Sequence, residues 1–204
     1  MSGWVGDLLN VLELIGQWII PGQSEESRQE ANKGSNMPLI QIEDLPDSAR
    51  TWVFGADRNL DESATDLLLR EVDRFLGQWH AHGAPLTAAR DWKYGRFLTV
   101  AVDQSTAGAS GCSIDGLFRS LKALEPRLGS SLVTSDLIFY RDTSGAIQSV
   151  DRERFTTLGA EGKIQPNTSV FDPTVTTLGE WRACFELEAS QSWHAGLMHD
   201  KQPV

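Results

Sequence analysis

Cys112 is the side chain whose neighbours best suit it for chemistry. It lies in the run Gly108-Ala109-Ser110-Gly111-Cys112-Ser113-Ile114-Asp115-Gly116, between an apolar strand-like stretch at 96–103 and an amphipathic helical stretch at 114–128. A thiol at a helix start meets unpaired backbone N–H groups and the positive end of the helix dipole, which favour the thiolate. A thiolate nucleophile also needs a base. The chain has four histidines. Of these, His82 and His194 are the candidates for the base, and Asp115 is the candidate to orient it. The same loop suits a second chemistry. Ser110, Gly111 and Ser113 present hydroxyl and N–H groups that can hold a small anion or a protein partner. Glycines there let a backbone or ligand come close. The structural alternative is a small cysteine filling a tight strand-to-helix turn.

Residue types exclude other chemistries. Gly111-x4-Gly116 has P-loop spacing, but Leu117 and Phe118 stand where a lysine and a hydroxyl residue are required. The chain is therefore not a P-loop ATPase. The G-x-S-x-G pattern fails because Cys112 occupies the place of its last glycine. His80 and His82 form a His-x-His pair without a clear third ligand, so no metal and no cofactor are expected.

The elements that must position this loop are legible from periodicity. Residues 51–56 are rich in strand formers. Asp61-Glu62-Ser63 caps a helix whose apolar positions run Ala64, Leu68, Val72, Phe75, Leu76 and Trp79, with Gly83 as its C-terminal stop. Residues 86–92 and 97–102 read as strands about a Lys93-Tyr94-Gly95 turn. The second helix carries Ile114, Leu117, Phe118, Leu121, Leu124 and Leu128 on one stripe. Residues 137–141 and 146–150 make a hairpin about Asp142–Gly145, followed by a short helix at 152–158 and a strand at 169–171. The order from 51 to 141 is β-α-β-β-α-β. It predicts an α+β domain with a ferredoxin-like split β-α-β sheet and helices on one face. Trp193 is expected to anchor the tail on the domain.

The first 36 residues differ in composition. Residues 1–22 follow a helical pattern, with Trp4, Leu8, Leu12, Ile15, Trp18 and Ile19 on its apolar side. This amphipathic helix is expected to dock on a larger protein assembly, with a membrane surface as the second candidate. Its polar side lacks basic residues, which weakens attraction to anionic lipid. A polar linker at 23–36 joins it to a single domain at 37–204.

Bulk properties narrow the partners. The chain has 204 residues and a formal charge of −10, which disfavours nucleic acid. Two cysteines without a CxxC pair suit a reduced, cytoplasmic protein with free thiols.

Several elements together resemble a family. They are Leu45-Pro46-x-x-Ala49-Arg50-x-Trp52, Ala56-x-Arg58, Trp79-x-Ala81-His82-Gly83, Arg96-Phe97, Ser110–Asp115, Val170-Phe171-Asp172 and Ser192-Trp193-His194. In this order they resemble small uncharacterised bacterial proteins often labelled "ABC transporter ATPase". The resemblance implies a self-contained domain from about Met37. It also groups His82, Cys112, Asp115 and His194 for joint testing. The functional expectation is a non-catalytic binding or accessory module that docks through residues 1–22 and has a binding loop at 108–116. The alternative is a thiol-dependent enzyme or redox protein using Cys112.

Overall fold

The computed structural model describes residues 40–105, 108–133 and 136–198. The chain divides between Asn36 and Met37, and all described residues belong to the second part. The apolar face expected at Trp4, Leu8, Leu12, Ile15, Trp18 and Ile19 lies outside the described residues, as does the linker.

The fold is an α+β stack of four layers. β1 (Arg50–Gly55), β4 (Thr87–Lys93) and β5 (Phe97–Asp103) form one antiparallel sheet in the order β1-β5-β4. α1 (Glu62–Leu76) and α2 (Gly111–Leu128) cover its outer face. Its inner face packs on a second antiparallel sheet, ordered β7-β6-β8-β9. The strands of that sheet are β6 (Leu137–Arg141), β7 (Ile147–Asp151), β8 (Ser169–Phe171) and β9 (Glu186–Glu188). α3 (Arg152–Ala160) and the single-turn α5 (Ala195–Met198) close the far side. A small hairpin of β2 (His80–Ala81) and β3 (Ala84–Pro85) follows α1, and α4 (Leu178–Cys184) precedes β9.

Strand alternation builds the stack. Leu98, Val100 and Val102 of β5 face the helices, while Phe97 and Ala101 face the second sheet. Residues 97–102 are therefore all buried, which explains a continuous apolar run in place of polar alternation. Phe97 meets Phe139, Phe171 and Phe185 at ring distances of 4.8–5.1 Å, forming the centre between the sheets. A Cβ on Gly55 would enter the ring of Phe139, so only glycine lets the sheets come this close.

Arg96 fastens the two sheets. It is 5% exposed, and its guanidinium donates to the carbonyls of Ala56, Asp57 and Ile147 and to Ser149 Oγ. Burial pulls its pKa down, and nearby Asp57 opposes that shift. The turn that places it has both Tyr94 and Gly95 at positive φ, 60° and 64°.

Three expectations need correction. First, the split β-α-β half forms, because β1 and β4 flank the antiparallel β5. The fourth strand of a ferredoxin-like sheet does not join it. β6 pairs with β7 and β8 instead of β1. Ahead of β6, Glu125 Oε1 accepts the N–H groups of Leu132 and Val133 at 2.9 and 3.0 Å. Donors occupied in this way cannot pair with β1. Burial raises the Glu125 carboxyl, but Lys122 and these two amides outweigh it and hold the group below its ordinary range. Second, the first helix stops at Gly77, so Gly83 is the turn of the β2–β3 hairpin at φ 81°. Third, the fully buried residue at this point of the tail is His194, while Trp193, expected as the anchor, is 42% exposed and stacks on it at 3.8 Å.

Candidate functional site

The loop that opens α2 is a capped helix start. Ser110 is the N-cap and accepts from the Ser113 amide at 3.2 Å, while the Ser113 hydroxyl donates back to the Ser110 carbonyl at 2.9 Å. Trp79 Nε1 donates to the Ser113 carbonyl at 3.0 Å, tying the loop to the end of the first helix. The hydroxyls of Ser110 and Ser113 thus serve the local fold. A Cβ at Gly108 or Gly111 would meet open space, so neither glycine is required for close packing within the chain.

Of the groups proposed to act with Cys112, His194 lies in another layer, and no hydrogen bond or ion pair joins His82 or Asp115 to the thiol among the described residues. Cys112 and Asp115 are exposed on α2, and Asp115 pairs with Arg119 at 3.5 Å. His82 is exposed at the tip of the β2–β3 hairpin with φ 52°. Among the described residues, no hydrogen bond or ion pair joins any two of these groups. His194 lies in the opposite outer layer, with its ring 5.6 Å from Phe155 of α3, so both sheets separate it from α2. Its Nδ1 is 2.9 Å from Ser192 Oγ, and its buried Nε2 has no hydrogen-bond partner among the described residues. Burial lowers its pKa to about 4. His80 Nδ1 contacts the Gln78 carbonyl at 2.6 Å. No group of three His, Cys, Asp or Glu side chains able to hold a metal occurs among the described residues. No helix among them is long and apolar enough to cross a membrane.

A concave surface lies elsewhere, along the outer edge of β1. Antiparallel pairing aims alternate residues of a strand toward one neighbour. The Ala56 amide bonds to Arg96, so Arg50, Trp52 and Phe54 point toward β5 and Thr51, Val53 and Gly55 point outward. The outward edge is closed at each end. Thr51 N–H donates to the Thr176 carbonyl at 2.9 Å, and Asp57 N–H donates to the Ser131 carbonyl at 3.0 Å. Between these points the N–H and C=O groups of Val53 and Gly55 have no partner among the described residues. At about 3.3 Å per residue, the stretch from Thr51 to Asp57 spans about 20 Å, with the open groups of Val53 and Gly55 in its middle.

Walls rise on both sides of this edge. Phe118, Leu132 and Val133 stand on one side and residues 173–176 on the other, around a cavity of about 330 Å³. Pro173 and Thr174 also border a second cavity of about 710 Å³, which lies between Ile138, Arg152 and Trp193. This second cavity opens because β8 stops at Phe171, so β6 pairs with it only at Phe139 and Tyr140 and Leu137 and Ile138 lose that neighbour. Pro173, without an N–H group, cannot extend the ladder.

Periodicity does not reveal this cleft, since strand and helix patterns describe faces and not edges. Two local signals bear on it. Pro173 falls just after a strand, and Trp193 sits in a polar segment outside any apolar stripe. Comparison with protein-family models, curated proteins and solved structures finds no match.

Proposed function

We propose that this protein is a non-catalytic binding module and that the β1 cleft receives an extended segment of a partner protein. The open edge of β1 carries this reading. A buried strand edge whose groups at Val53 and Gly55 have no partner among the described residues can add a strand, and main-chain hydrogen bonds then supply affinity. The flanking cavities supply places for alternate side chains. Residues 1–22 would provide a further contact with the same assembly, and the setting would be cytoplasmic. The loop at 108–116 serves here as a helix start, with its exposed surface around Gly111 available to a partner. The thiol reading lacks comparable support: His194 is sealed in another layer, and no hydrogen bond joins His82 to Cys112 among the described residues.

The test is selection of twelve-residue peptides by display on the full chain, followed by amide-resolved NMR titration. The expected result is convergent sequences that shift the amides of Val53, Gly55 and Thr174. N-methylation at alternate peptide residues should abolish binding, because it removes the donors that strand addition requires. Failure to select any peptide overturns the reading, as does binding that leaves these amides unmoved.

A further inference from the structure

The C-terminal segment at 189–198 is joined to the domain unevenly. Main-chain bonds tie its start, from Ala189 N–H to the Thr168 carbonyl at 2.8 Å and from Ser190 N–H to the Pro166 carbonyl at 2.9 Å. From Ser192 onward, every hydrogen bond among the described residues stays inside the segment. Residues 192–198 are therefore held to α3 by side chains. The His194 ring is 5.6 Å from that of Phe155, Leu197 joins the same apolar cluster, Met198 lies close to Gly159, and Arg152 lies over the Trp193 ring at 5.7 Å. A segment held in this way opens more easily than the core elements. Its hydrogen bonds also fix the state of the histidine. Ser192 Oγ donates to the Ala189 carbonyl, so it accepts from the His194 main-chain N–H and, at 2.9 Å, from Nδ1. This pattern makes the ring neutral, with its proton on Nδ1 and a lone pair on Nε2. Nε2 is buried without a hydrogen-bond partner among the described residues. A proton there would place a charged N–H in the interior with no acceptor. The surrounding charges do not remedy this. Asp172, just after β8, attracts a charged ring, but its Oδ1 already accepts the N–H and hydroxyl of Thr174. Arg152 of α3 repels one. Tyr140 of β6 meets Phe155 at 6.1 Å, and residues 189–191 and α5 bring no charge.

We infer that residues 192–198 are an acid-released latch, and that a proton from solvent on His194 Nε2 frees them from α3 while both sheets stay paired. The imidazolium gains water at both nitrogens by leaving, and it moves away from Arg152. The direction with pH follows from the closed state. Burial lowers the His194 pKa to about 4 there, whereas the released ring titrates near 6.5. The closed segment thus binds fewer protons between those values. It is held fully above about pH 6.5 and loosens as pH falls toward 4. These two values make opening about sixtyfold more favourable at pH 4.5 than at pH 7. Release uncovers Phe155 and Leu158, which are 0% and 6% exposed when the segment is in place. At acid pH the domain then presents an apolar patch that it hides at neutral pH.

The experiment is amide exchange followed by NMR on the full chain at pH 7 and pH 4.5, with rates corrected for the intrinsic effect of pH. The reporter is the Leu197 amide, which donates to the His194 carbonyl at 2.9 Å, and the reference is Val100 at the centre of β5. Protection of Leu197 should fall about sixtyfold between these conditions, and that of Val100 far less. His194→Phe cannot take up the proton, so its Leu197 protection should stay constant. Arg152→Gln alters an exposed side chain and removes the repulsion, so the fall should shrink severalfold. An equal fall at Leu197 and Val100 would mean unfolding of the whole domain and overturns the latch. A fall in His194→Phe that matches the wild type also overturns it. If that variant does not fold, an Arg152→Gln profile identical to the wild type has the same force. A His194 ring that titrates near 6.5 while Leu197 stays protected overturns it as well.

Discussion

Arg96 shows how one side chain sets the distance between two sheets. It donates to three main-chain carbonyls and one hydroxyl, and these acceptors belong to both sheets or the segments that leave them. Lysine offers donors from a single point and cannot span them. Arg96→Lys should therefore cost about 2 kcal/mol, and Arg96→Met more, because several buried carbonyls lose their donor. Urea denaturation checks this. Equal midpoints for wild type and Arg96→Lys would show that the fork geometry is dispensable. His194 makes a prediction of a different kind. Its folded pKa of about 4 results from burial, opposed by Asp172 and reinforced by Arg152. The unfolded imidazole titrates near 6.5. The folded state thus binds fewer protons between those values. Its stabilising effect is complete above about pH 6.5 and is lost as pH falls toward 4, by at most about 3 kcal/mol. His194→Phe should flatten stability against pH across this window. An unchanged slope would show that other groups cause the acid sensitivity.

At the scale of elements, the register of β1 predicts an alternating pattern of amide exchange. Trp52 and Phe54 donate toward β5 and should exchange slowly, while Val53 and Gly55 face the open cleft and should exchange faster. Uniform protection along β1 would mean that its edge is covered. Gly55 supplies a second test. Gly55→Ala drives a methyl group into the Phe139 ring and should destabilise by about 1–3 kcal/mol. Phe139→Leu on the same chain should recover part of that cost, and additive losses in a double-mutant cycle would place the strain elsewhere. These elements show what the amino-acid order made legible. β8 spans Ser169–Phe171 as its strand formers indicate, and α2 follows the stripe from Ile114 to Leu128. Asp61 caps α1 through the Ala64 amide at 2.8 Å, as its residue type suggests. α4 is legible from its start signal. Thr177 and Glu180 form a capping box three residues apart, which marks a helix start even before a seven-residue helix. The destination of β6 was not legible from periodicity. It is a choice of long-range strand partner, which no periodic pattern records. The cleft follows from that choice, because β1 keeps an open edge only when β6 goes to the other sheet. The Cys112 loop was legible as a helix start through Ser110. The separation of His194 from Cys112 depends on layer order, which short-range patterns do not contain.

Across the whole molecule, the four layers share one centre, and this makes separate unfolding of the two halves unfavourable. β5 is buried on both faces and belongs at once to the helix-facing core and to the core between the sheets. Phe97 is fully buried and touches aromatic rings from β6, β8 and the end of α4. The outer core beneath α3 meets the same sheet from behind, through Ile138 and Val170, whose neighbours Phe139 and Phe171 face inward. A disturbance at Phe97 must therefore loosen the footing of α1 and α2 on one side and of α3 on the other. Phe97→Ala removes a ring from a packed centre and should cost about 3–5 kcal/mol. If the layers act as one unit, the most protected amides of α1 and α3 should lose the same free energy of exchange in this variant. Denaturation followed at the two outer layers should give coincident midpoints in both wild type and variant. Loss of protection confined to α3 would show that the second sheet and its helix form a separable unit. The β1 cleft would then be a seam between two subdomains, and a bound strand would join them.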